Sequence, residues 1–189
     1  MHSPCASGGA RAVERSSATH GPLNMTDRNT FTQDEWTLLR LTPSFVAVGV
    51  VAADASGLFA SLKETLAGAK EVGAALDADS SLELFRALAA DRSVPAIPDV
   101  ERFLGEGPKD IKLQNFKAAA LDQVSAAAAL LNGKASPAET GAYGRLLVRV
   151  AERAANAAKE GGFLGIGGVR ISDKERTFID LVSKAAGIE

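Results

Sequence analysis

From Phe31 onward, apolar residues recur three or four positions apart, the spacing of one buried face of an α-helix. Leu113, Phe116, Ala120, Val124, Ala127 and Leu131 make the longest such stripe. Leu146, Leu147, Val150, Ala154 and Ala157 make another, with Arg145, Arg149, Glu152 and Arg153 on its wet face. Shorter stripes run through Phe178, Leu181, Val182 and Ala185, through Leu82, Phe85 and Leu88, and through Leu58, Leu62, Leu66 and Ala69. No segment alternates with the period of a half-buried strand. The pattern predicts an all-α protein, a compact bundle of six to eight helices forming a single domain over residues 30–189.

Polar punctuation marks where these helices start and stop. Thr32 and Glu35 have capping-box spacing, in which the hydroxyl takes a backbone N–H and the carboxylate reaches back to the cap, and Phe31 and Trp36 occupy the hydrophobic-staple positions. That helix is expected to end near Leu41. Thr42 and Pro43 then read as the cap and first residue of a second helix, running to about Ala53, because proline is harmless where the N–H has no partner. Asp54 to Gly57 break it. Ser80 reads as the cap of the helix bearing Phe85. Residues 91–108, rich in proline and glycine, read as a loop with one short helix at "DVERFL". "NGK" closes the longest helix, Ser136, Pro137 and Glu139 open the next, Ser172 and Glu175 form another capping box, and Gly187 is placed to stop the last helix.

Residues 1–29 show no hydrophobic period and lack the apolar core of a signal peptide, which predicts a disordered tail; Met25, just ahead of the first helix signal, is a candidate translation start. A net charge of −2 without basic blocks, and only 5% aromatic residues, argue against nucleic acid as a partner. The longest apolar run, from Ser44, is about twelve residues against the ~20 needed to span a bilayer, so no membrane span is expected. Cys5 is the sole cysteine, which fits a reducing, cytoplasmic setting.

The reactive side chains narrow the chemistry further. His2, Cys5 and His20 all lie in the tail, so the body has neither a His- nor a Cys-based nucleophilic system nor a His/Cys zinc or copper site. Oxygen ligands remain, suited to Ca²⁺, Mg²⁺ or Mn²⁺. The acids at helix–loop junctions are Asp54 and Glu64 in the first half and Glu160, Asp173 and Glu175 in the second. An EF-hand begun at Asp54 is broken by Leu58 and Thr65. The second junction also holds Gly161, Gly162, Gly165, Gly167 and Gly168, interleaved with Phe163, Leu164 and Ile166. It is not a phosphate loop: no Lys follows the glycines, Arg170 stands where a dinucleotide fingerprint needs glycine, and a helix precedes it where both motifs need a strand. Three readings of Phe163, Leu164 and Ile166 stand: an apolar plug folded back on the bundle, a surface for a ligand or partner, or a membrane contact, the last weakened by the lack of a flanking basic cluster.

"AADASG" around Asp54 and "VRISDKE" ending at Glu175 resemble elements of the TerB-like, tellurite-resistance helical family over roughly residues 42–189. The two halves also share a layout of Ala-rich helix end, acid, glycine and new helix, as two related helix–loop–helix units would. The resemblance implies an all-helical bundle, metal binding through acidic residues and a stress-related role without established catalysis. Asp54 and Glu175 match the family pattern directly; Glu64 lies further from Asp54 than the family's Glu, and Glu160 stands where the family has Asp. Two function classes follow: a non-enzymatic cytoplasmic protein that binds a partner, a second copy of itself or a hard divalent metal, and a metal-dependent carboxylate hydrolase. The tail reading makes its own prediction. Removing the residues ahead of Met25 leaves the helical circular dichroism and the melting temperature unchanged, and a drop of several degrees would show that the tail packs on the body.

Overall fold

The computed structural model describes residues 26–53, 76, 81–91, 97, 99–160 and 171–188. They form a short 3-10 turn, Arg28–Thr30, and six α-helices: α1 Gln33–Ala53, α2 Glu83–Ala90, α3 Val100–Leu104, α4 Lys109–Lys134, α5 Pro137–Glu160 and α6 Asp173–Ala185. No strand occurs among the described residues, and the all-α bundle is the fold. The Leu58 stripe lies outside the described residues.

Helix α1 is the hub and packs against α4, α5 and α6. Its Phe45 stacks on Phe116 of α4 at 5.5 Å and meets the Phe103 ring of α3 edge-on at 4.9 Å. The α4 stripe read from the sequence is the buried face, residue for residue. Small residues let the helices close up: a Cβ added to Gly49 of α1 would lie 2.5 Å from the Phe178 ring of α6 and 3.3 Å from Ala120 of α4. On α5 the buried face runs through Leu146, Leu147, Val150, Ala151 and Ala155, whereas Ala154 is half-buried. On α6 it runs through Glu175, Phe178, Ile179 and Val182, which leaves Leu181 on the open side at 44% exposure. Gly187, at φ 69°, ends α6 as expected: its N–H reaches Lys184 O at 3.1 Å and the Ile188 N–H reaches Ser183 O at 2.9 Å, a Schellman closure.

One expected boundary is absent. Residues 33–53 form a single helix with Pro43 inside it. Proline cannot donate to the carbonyl four residues back, a defect that ordinarily costs about 3 kcal/mol. Here that carbonyl, Leu39 O, accepts instead from the Tyr143 hydroxyl of α5 at 2.6 Å. Thr42 does not cap a new helix; its hydroxyl donates to Leu38 O at 2.8 Å within the same one. The helix continues because both sides of Pro43 are buried, from Trp36 and Leu39 through Phe45, Val46 and Val50. The fused α1 is long and apolar enough to cross a bilayer by length and composition, but 78% of its apolar window is buried inside the bundle, as in a core helix.

A second expectation also shifts. Helix α2 starts at Glu83 with Leu82 at the cap position and no side-chain cap of its own. Its Leu84 N–H is taken by Glu139 of α5, at 3.2 Å, so the cap is tertiary rather than local. At the other end Asp91 accepts from the Trp36 indole at 3.0 Å and pairs with Arg40 at 3.1 Å.

The Pro43–Leu39–Tyr143 contact predicts a specific coupling. Tyr143→Phe leaves Leu39 O buried without that donor and should cost about 1–3 kcal/mol. In a Pro43→Ala background the restored N–H can serve Leu39 O, so the same change should cost markedly less. Urea melts of the two single variants and the double variant check this; equal costs in both backgrounds would refute the assignment.

Candidate functional site

The α4–α5 corner, the start of α2 and residues 26–30 enclose a groove of about 710 Å³, lined by Thr26, Thr30, Leu82, Arg86, Lys134 and Glu139 among others. Its geometry follows from capping signals. Ser136 and Glu139 form the box read from the sequence: the Ser136 N–H donates to Glu139 Oε2 at 3.0 Å, and the Glu139 N–H donates to Ser136 Oγ at 3.3 Å. The Glu139 side chain is 5% exposed and takes further donors. Oε2 accepts from the Ser136 hydroxyl at 2.8 Å and from the Thr26 hydroxyl at 2.8 Å, while Oε1 accepts from Leu84 N–H.

Burial pushes the Glu139 carboxyl up, but the hydrogen bonds from Thr26, Ser136 and Leu84 outweigh it and hold the group below the usual carboxylate value. A carboxylate wrapped this way is a fixed structural anion rather than a proton carrier. The sequence pattern places residues 26–29 in the tail, yet Thr26 is 1% exposed and Asp27 caps the 3-10 turn through the Asn29 and Thr30 N–H groups. No local signal marks that attachment, because its partner lies 113 residues away.

The wall toward α1 is polar as well. Lys134, at the end of α4 where a cation favours the helix dipole, donates to Glu35 Oε2 at 2.6 Å and to Thr30 O at 3.3 Å. Glu35 closes its own box with Thr32, and the Lys134 and Thr32 hydrogen bonds hold its carboxyl below the usual value. The staple pair forms as read, with the Phe31 and Trp36 rings 5.8 Å apart and Arg28 over the indole at 5.2 Å.

The acids expected to bind metal are distributed differently. Asp54 and Glu64 lie outside the described residues, as do Phe163, Leu164 and Ile166. Glu160 is the final residue of α5; its side chain lies outside the described set. Glu175 is 2% exposed and closes the α6 capping box, its Oε2 accepting from the Ser172 N–H at 2.8 Å and the Ser172 hydroxyl at 2.9 Å. Among the described residues no group of three or more His, Cys, Asp or Glu is placed to hold a metal ion. The metal reading therefore rests on acids outside the described residues. Glu139, which the sequence marks only as a cap, is the acid that the fold makes central.

No protein-family model, curated protein or solved structure matches this chain.

The Glu139 geometry sets a pH dependence. A carboxyl whose folded pKa lies below its unfolded value adds stability above the unfolded pKa, and loses it as pH falls through the folded one. Glu139→Gln should therefore cost about 1–3 kcal/mol near neutral pH. The gap between wild type and variant should narrow only below pH ~4.5, the ordinary carboxyl value. Glu35 titrates in the same window in both proteins and cancels in the difference. Denaturant melts from neutral to acid pH check this, and a gap that widens in acid would contradict it.

Proposed function

We propose that this chain is a non-catalytic, cytoplasmic helical binding protein whose ligand is a hard divalent cation held by acidic residues. The observation that carries the reading is the distribution of reactive side chains. His2, Cys5 and His20 all precede Met25, and the helical body holds oxygen ligands but no histidine or cysteine. The resemblance of the Asp54 and Glu175 segments to the TerB-like family supports the same reading and adds a stress-related role. The buried carboxylates Glu139 and Glu175 both serve as caps, which concentrates the ligand role on Asp54, Glu64 and Glu160, with Glu175 contributing only by giving up part of its box. Phe163, Leu164 and Ile166, beside Glu160 in the chain, are the residues for a protein partner or a second copy.

A ligand that binds only the folded state stabilises it by about 2.7 kcal/mol at a hundred times its Kd. Millimolar Ca²⁺, Mg²⁺ or Mn²⁺ should then raise the melting temperature above that in EDTA, and Asp54→Asn should abolish the rise. Melting curves that overlay with every ion and with EDTA would discard the metal reading. Sedimentation of wild type and Leu164→Ala then tests the partner loop separately, with weakened self-association expected in the variant.

A further inference from the structure

Glu139 is a buried anion without a counter-charge. It is 5% exposed, and among the described residues it pairs with no cation. The two cations on the groove wall are engaged elsewhere, Lys134 with Glu35 and Arg86 with Glu83. Its oxygens are also served unequally. Oε2 accepts from the Thr26 hydroxyl, the Ser136 N–H and the Ser136 hydroxyl, whereas among the described residues Oε1 accepts only from the Leu84 N–H and keeps an acceptor site open. Hydrogen bonds lower the cost of such a charge, but a buried carboxylate ordinarily has an opposite charge beside it.

The unmatched group next to it is a nitrogen. Thr26 is 1% exposed, and its hydroxyl lies 2.8 Å from Oε2. The α-nitrogen hangs from the neighbouring carbon, and as a backbone N–H it finds no acceptor among the described residues. Buried N–H groups without a partner are rare. The residue before it is Met25, and threonine is small enough for an aminopeptidase to remove an initiator methionine ahead of it.

We propose that the mature chain begins at Thr26 and that its α-ammonium is the counter-ion of Glu139. Translation starts at Met25, and a methionine aminopeptidase hydrolyses the Met25–Thr26 amide. The hydroxyl of water goes to the methionine carbonyl carbon and its hydrogen to the Thr26 nitrogen. At neutral pH the new acid gives up a proton and the new amine takes one. One unmatched N–H thereby becomes three donors and a positive charge, next to the carboxylate oxygen with an open site. The burial cost of the ammonium offsets much of its attraction to Glu139, so chains with and without residues 1–25 can melt alike. They differ in how strongly each depends on the Glu139 charge.

Two measurements test this. The intact mass of the protein expressed from its own gene, with the upstream sequence in place, should be that of residues 26–189. A chain that begins at Met1 or keeps Met25 would overturn the proposal, and so would failure of residues 26–189 to fold. Glu139→Gln is then made in this chain and in the chain that starts at Met1. It should lower the folding equilibrium constant about tenfold more in the Thr26 chain, the scale of a hydrogen bond to a charged group. Equal losses in both chains would refute the pairing. Where Glu139→Gln leaves no folded protein to melt, acylation of the wild-type Thr26 amine decides. It should run about tenfold slower in the folded protein than in urea, as a buried, paired amine requires. Equal rates would place the amine in solvent and overturn the proposal.

Discussion

The bundle depends on how it carries a proline through its most buried helix. Pro43 leaves Leu39 O without its helical donor, deep in a core formed by Trp36, Phe45, Val46 and Val50. A single phenol, Tyr143, repairs the defect. Burial raises the pKa of that phenol and keeps its proton on the oxygen, so it remains a donor throughout the physiological range. A directional bond of this kind also sets the height and rotation of α5 against α1, which apolar packing alone specifies less sharply.

That register reaches the groove. Glu139 lies four residues before Tyr143, one turn earlier on the same face of α5. Turning Tyr143 toward Leu39 therefore turns Glu139 inward too, to where Thr26 and Leu84 meet it. The polar contacts that hold residues 26–30 and α2 are thus a consequence of the core repair. A shift of α5 that broke one would displace the other.

What the sequence revealed follows the range of the interaction. Stripes and capping boxes are local, and the α4 face, the boxes at Thr32, Ser136 and Ser172 and the glycine stop at Gly187 all stand where they were read. Pro43 misled because its local meaning, a helix start, was overridden by the Tyr143 donor, 104 residues from the Leu39 carbonyl it serves. Ser80 misled because α2 borrows its cap from α5. The three capping-box glutamates look alike in sequence, yet Glu35 ends up at a lysine, Glu139 at the centre of a groove, and Glu175 buried behind its own serine.

That contrast bears on how acids at helix starts are judged as ligands. A glutamate three residues past a Ser or Thr cap sits within reach of a backbone N–H and a hydroxyl, and Glu139 and Glu175 take both on a single oxygen. Binding a metal would mean giving up those donors, and with them the helix start they secure. An acid at a helix end carries no such commitment from the local pattern, although a cation there gains from the carboxyl-terminal end of the helix dipole. Glu160 is the last residue of α5 and occupies that position. If the protein binds a hard cation, the helix ends rather than the helix starts are where it should be sought.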